Sequence, residues 1–200
     1  HMLPKLFALI VMIGAAQLAA KSPLEVSKVD FNTTKDDWIQ MEVELDFGDN
    51  TLPDARDKDF FANVGVKVYL AYEIDAAKRQ YDYYSSEVEI ALAEAKEKYN
   101  VYFYLPGMIV ERDRISQAKP AFYYVALDMA GNELPPKQGS YAISDSIKNL
   151  QILNSFLAKA KEMSASTKGL LMPSYFAPGA YKSRVQKQPL YLRFDPESNE

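Results

Sequence analysis

Two hundred residues without a cysteine and with a net charge of −4 exclude several classes of function together. Disulfides, zinc–thiolate centres, iron–sulfur clusters and a cysteine nucleophile all need thiols, and a general nucleic-acid binder needs a basic field for phosphate. A composition 48% hydrophobic and 25% charged is ordinary for a folded chain and allows one medium domain, alone or with appendages.

The only histidine is His1, and His1-Met2 reads as a cloning scar ahead of a native start. The natural chain then has no histidine, the commonest general base and metal ligand. Lys5 precedes the apolar run Leu6–Ile13 and the small-residue stretch Gly14–Ala20. These are the parts of a secretory signal, with cleavage after Ala20. The competing reading of residues 1–20 is a retained apolar helix, membrane-spanning or packed along a filament axis, since Leu3–Ala20 is about the minimum bilayer span. Both readings export the chain and confine membrane contact to residues 3–20.

Leu24–Phe31 is expected to be the first strand. Leu24 and Val26 alternate, then Val29 and Phe31 continue with the phase shifted, which marks a bulge. Asn32–Asp37 is turn chemistry. Asn32-Thr33-Thr34 also matches a glycosylation sequon, but a polar turn is the simpler account in a bacterial-looking chain. Trp38–Phe47 has the strongest pattern of the chain: Ile39, Met41, Val43, Leu45 and Phe47 alternate with Gln40, Glu42, Glu44 and Asp46. Successive side chains of a strand point to opposite faces, so one face is apolar and the other is expected to be solvated. A one-residue slip would bury four polar groups, which fixes the register.

Gly48–Asp59 is a loop whose Asp54, Asp57 and Asp59 lack the EF-hand alternation and its glycine, so a solvated acidic loop is expected. Val64–Ile74 is a second alternating strand, with Lys67 and Glu73 on its polar face. Tyr81–Tyr99 fits a helix through Ser86-x-x-Glu89 and a strand through its alternation. The strand is favoured over Tyr83–Leu92, followed by a charged turn at Glu94–Lys98 and a returning strand Val101–Leu105. Met108–Ile115 is a helical turn, and Phe122–Met129 a strand closed by Gly131-Asn132. After the loop Leu134–Gly139, Asp145–Met163 carries Ile147, Leu150, Leu153, Phe156, Leu157 and Ala160 on one helical face. Ser144 or Asp145 can cap it and Gly169 closes it. Leu170–Tyr181 is irregular, and Leu190–Phe194 is a last short strand.

No catalytic constellation emerges. Ser22, Ser27 and Ser183 lie near lysines no more often than chance provides, Glu42, Glu44 and Asp46 read as a solvent face, and every glycine is isolated, so no phosphate loop exists. No catalytic, cofactor or metal residue is assigned, and no cofactor is expected. Tyr81, Tyr83, Tyr84, Tyr102, Tyr104, Tyr123 and Tyr124 cluster in expected strands. Exposed, they could stack on a host glycan or form a protein interface; half-buried cross-strand partners are the plainer reading. The amphipathic helix likewise reads as a lid on a sheet edge.

Val101–Asp113, Leu171–Tyr175 and Pro189–Phe194 resemble the pilus-like proteins encoded in verrucomicrobial gene clusters with type IV pilus components. The resemblance covers most of the chain after Ala20 and carries no catalytic residue. It implies an immunoglobulin-like sandwich, exported, and associated with a pilus or cell surface. Bacterial prepilins place a glycine directly before the apolar helix and a glutamate at its fifth mature position. Here no glycine precedes Leu6 and no acid lies between Leu6 and Ala20, so the likeness is to pilus-like proteins and departs from standard bacterial pilins.

The expected fold is mainly β: a two-sheet antiparallel sandwich of about seven short strands with one C-terminal amphipathic helix. Residues 21–134 are expected to form the sandwich and 135–200 a helix-bearing extension completing it. The expected function is non-enzymatic: a structural or interaction protein whose partners are copies of itself or pilus and envelope components. A carbohydrate-binding module using exposed tyrosines is the alternative.

Overall fold

A computed structural model describes residues 22–192, so the reading of residues 1–20 lies outside the described residues. Among the described residues, nine strands form two antiparallel sheets. The first holds β1 (Leu24–Thr33), β2 (Ile39–Phe47), β5 (Lys98–Leu105) and β8 (Met172–Pro173), side by side in that order. The second runs β7 (Asn132–Glu133), β6 (Phe122–Met129), β3 (Phe60–Asp75), β4 (Gln80–Glu94), β9 (Leu190–Leu192).

The alternation of β2 places Ile39, Met41, Val43, Leu45 and Phe47 in the core between the sheets, each at most 3% exposed. Val64, Val66, Val68 and Leu70 of β3 and Val101, Phe103 and Leu105 of β5 meet them there. The phase shift read in β1 is a bulge: Val26 pairs Leu45 and Lys28 pairs Glu44, leaving Ser27 over. Its hydroxyl bonds the Glu44 carboxylate at 2.6 Å. The turn after β6 centres on Ala130 and Gly131, both with positive φ, as a two-residue hairpin turn requires.

Several expectations are corrected. β5 does not return alongside β4; it crosses to the other sheet and pairs with β2. The corner is held by Phe47 N–H donating to Glu97 O (3.0 Å) and Lys96 N–H to Gly48 O (3.1 Å), with Lys96 in a left-handed conformation. A charged turn is compatible with a hairpin or a corner; long-range pairing decides between them.

The helix after the loop, α2, runs only Leu150–Met163, capped by Asn149 Oδ1 accepting from Ile152 N–H at 2.9 Å. Ser144 is instead spent on β6, where its hydroxyl accepts from Tyr123 N–H. Leu150, placed on the apolar face of the helix, is 46% exposed. Leu153, Phe156 and Ala160 join Tyr69, Ala71, Tyr124 and Ala126 in one apolar cluster, with Tyr81 and Tyr83 of β4 packed against it, so α2 lies over the outer face of the second sheet.

The outer face of the first sheet is half covered too. The chain from Ser174 to Pro189 crosses it as an irregular strap. Gln40 Nε2 donates to Ser183 O (2.9 Å), Gln186 N–H to the Tyr102 hydroxyl (2.9 Å), and Asn100 N–H to Lys187 O (2.8 Å). Trp38 stacks on Tyr181 at 4.3 Å, almost parallel. Gln40 and Glu42, expected in solvent, are therefore 2% and 8% exposed.

Candidate assembly surface

The tyrosines singled out in the sequence do not form an open platform. Tyr84, Tyr102, Tyr104, Tyr123 and Tyr124 are buried. Tyr81 and Tyr83 are half-buried against Phe122 and Phe156, beneath or beside α2. Burial raises the phenols accordingly, that of Tyr124 to about 12. With Tyr84 wholly buried and Tyr81 and Tyr83 half-buried, the three do not present one stacking platform. Tyr84 donates its hydroxyl to Asp113, whose carboxylate also takes a bidentate fork from Arg112 (2.6 and 2.8 Å). The Arg112 guanidinium chiefly, aided by that phenol, holds Asp113 below the usual carboxylate range. Asp54, Asp57 and Asp59 are exposed, and Asp57 accepts from the Asp59 N–H of its own loop.

The outer face of β1, β2 and β5 gathers charge. Lys28 pairs with Asp30, and Lys98 Nζ pairs with Glu44 at 2.9 Å. Glu42 lies between them with its ionised form desolvated; burial is the main cause of its raised pKa, and Lys28 opposes it. A carboxyl raised on folding costs stability once the pH climbs above its ordinary value, and the cost is complete above its folded value. Glu42→Gln is therefore expected to raise the Tm at pH 7–8, with the gain vanishing at acidic pH where Glu42 is protonated in both states. Thermal melts across that pH range check this; a gain that grows on acidification contradicts it.

The two ends of the first sheet differ sharply. β8 is two residues long. β1 is ten residues long, and no described strand lies on its far side. A long open edge presents a row of backbone donors and acceptors to any extended chain. Beside it lies a groove of about 700 Å³ between the two sheets. Leu24 and Val26 of β1 form one wall, Val125 and Leu127 of β6 the floor, and the Leu134–Ala142 loop the other wall. Pro135-Pro136 stiffens that loop, and Ala142 O anchors it by accepting from Val125 N–H at 2.8 Å. Tyr141, 63% exposed, stands at the lip. The chain enters the described region at Ser22, on the rim of the same groove.

Sequence reasoning identified β1 and the Leu134–Gly139 loop separately and missed the groove between them. The available signal was the pairing of a stiff Pro-Pro loop with the apolar flanks Leu134 and Ala142, which an ordinary solvated loop would not need.

No protein-family model matches this chain, and no curated protein does. Among solved structures, it is similar to a crystal structure of a protein from Akkermansia muciniphila, with a TM-score of 0.50 at 15% identity. The match covers 86% of this chain and 93% of the other. At that identity the likeness is one of fold: this chain shares a β-sandwich architecture, over nearly its whole described length, with a protein of that bacterium.

Proposed function

We propose that this chain is a non-enzymatic subunit or accessory factor of an exported, pilus-like cell-surface assembly, and that it joins the assembly by accepting an extended segment along β1. The observation that carries the reading is the ten-residue β1 edge, whose Leu24–Ser27 end borders an apolar groove. Main-chain bonds along such an edge supply affinity, and pockets for alternate side chains supply specificity.

Several features support the reading. The strand order places β2 between β1 and β5, and β3 between β4 and β6, the neighbour relations of an immunoglobulin-like Greek key. The motifs Val101–Asp113, Leu171–Tyr175 and Pro189–Phe194 resemble verrucomicrobial pilus-like proteins, whose surface location the apolar segment Leu3–Ala20 suits. A chain with no cysteine and with His1 as its sole histidine lacks the usual nucleophile and base of an enzyme.

The test compares two exposed substitutions in the protein extracted from its native envelope. Tyr141→Glu places a charge at the groove, while Met108→Glu alters a residue that is 81% exposed and does not line it. Neither should change the Tm. In sedimentation, the unmodified protein and Met108→Glu should run as large particles, and Tyr141→Glu should be released as monomer. A monomeric unmodified protein, or a fully assembled Tyr141→Glu variant, overturns the proposal.

A further inference from the structure

The direction of the backbone groups along β1 follows from the bonds at the end of β2. Phe47 N–H donates to Glu97 O, on the β5 side, and Gly48 N–H to Pro23 O, on the β1 side. Along an antiparallel strand the N–H and C=O of one residue point to one neighbour, and those of the next residue to the other. Gln40, Glu42, Glu44 and Asp46 therefore bond β1, through Asn32, Asp30, Lys28 and Glu25 opposite them. Val26, Val29, Phe31 and Thr33 turn both backbone groups away from β2. Leu24 has the same sense, and its C=O already accepts from the Ser22 hydroxyl at 2.7 Å. The bulge at Ser27 sets Val26 apart, so the unbroken open run is Lys28–Thr33. Its side chains alternate. Val29 and Phe31 pack on the core, while Lys28 and Asp30 lie on the outer face and pair with each other.

Lysine in an edge strand ordinarily keeps other strands off it. Here the charges are self-complementary in one register. Two copies of β1 meeting antiparallel about a two-fold axis are symmetric about a single residue. An axis at Lys28 sets the two lysines together, and one at Asp30 sets two carboxylates together; like charges directly opposed destabilise a pair. An axis at Phe31 places Lys28 opposite Thr34 and Asp30 opposite Asn32, with no charge partner for either. An axis at Val29 sets Lys28 of each copy against Asp30 of the other, and joins the two Val29 residues through backbone groups that already point outward. We propose that the extended segment accepted by β1 is the β1 of a second copy, paired antiparallel about Val29. The two four-stranded sheets become one continuous sheet. Each Lys28 then lies between Glu44 of its own chain and Asp30 of the other. The Asn32–Thr33 end of one copy runs toward the groove of the other, where Tyr141 stands. An isologous contact of this kind is closed, so it joins copies in pairs, from which any larger particle is built. The pairing rests on the assembly reading above and names its partner.

The full chain has no cysteine, so one introduced thiol reports the axis. Val29→Cys sets two thiols at a hydrogen-bonded pair, whose Cα atoms lie about 5.5 Å apart, within the range a disulfide accepts. Mild oxidation of the purified full chain should therefore give a disulfide-linked dimer. Thr33→Cys, at the far end of the strand, should stay reduced. A reduced Val29→Cys, or equal closure of both, overturns the proposal. Charge reversal gives a check without cysteine. Asp30→Lys leaves lysine at both outer positions and Lys28→Asp leaves aspartate at both, so each variant repels itself. In sedimentation at low salt each alone should pair about tenfold more weakly than the unmodified chain, and an equimolar mixture should recover a one-to-one pair. An unmodified chain that stays monomeric, single variants that pair as well as it does, or a mixture that stays monomeric also overturn the proposal. Protection of β1 on assembly together with a reduced Val29→Cys means that some other segment docks there, which ends this inference and leaves the β1 reading standing. No protection of β1 ends both.

Discussion

Replacing Phe47 by alanine is expected to lower the unfolding free energy by about 3–5 kcal/mol. Phe47 ends β2, is wholly buried, and meets Phe61 of β3 at 5.2 Å and Tyr99 of β5 edge-on at 5.8 Å. It thus ties both sheets together beside the corner where the chain passes from β4 to β5, since its own N–H donates to Glu97 O. Truncation removes the transfer energy of the ring, leaves a cavity in a close-packed interior, and deletes both aromatic contacts. Against a total stability of about 5–15 kcal/mol for a domain, a loss of this size leaves the fold marginal. Urea denaturation at pH 7 should show the midpoint falling with little change in slope. A loss below about 1 kcal/mol would mean that the two sheets are not joined there.

Gly107→Ala is expected to cost about 1–3 kcal/mol through overpacking. Gly107 opens the short helix α1 (Gly107–Arg112) and is buried against the turn Lys35–Asp37. A Cβ added there would lie 1.9 Å from the carbonyl oxygen of Asp36. That atom is backbone, in a turn whose Asp36 and Asp37 already hold positive φ, so relief requires moving the turn itself. Trp38, the sole tryptophan, follows directly and stacks on Tyr181 of the strap. The variant should therefore shift tryptophan emission as well as lower the Tm. A Tm within about 1 °C of the parent with unchanged emission would show that helix and turn are not in contact.

What could be read from the residues was local. Ile39 to Phe47 alternate because one face is buried, and the structure buries that face completely. The slipped phase at Ser27 and the strand Phe122–Met129 were equally legible. What could not be read was whatever a distant segment decides. Gln40 and Glu42 look like solvent residues until the strap from Ser174 to Pro189 is laid over them. Tyr69 and Ala71 fill what looks like the polar face of β3 because α2 roofs it. The crossing of β5 to the other sheet depends on pairing with β2, more than fifty residues earlier at its far end. The candidate surface shares this property: β1, β6 and the Leu134–Ala142 loop become a groove only when the two sheets are stacked. The reading of residues 1–20 and the resemblance of Val101–Asp113, Leu171–Tyr175 and Pro189–Phe194 take no part in that groove, and they enter only through the proposal that rests on them.

Amide hydrogen exchange of β1 in assembled and monomeric protein tests the central claim most directly. β2 takes one side of the β1 ladder in both states, so only the groups facing away from β2 can respond. If an extended segment docks on that edge, the peptide spanning Leu24–Thr33 should gain protection on assembly, together with the Leu134–Ala142 wall of the groove. Protection that appears elsewhere, with β1 exchanging equally fast in both states, would contradict it.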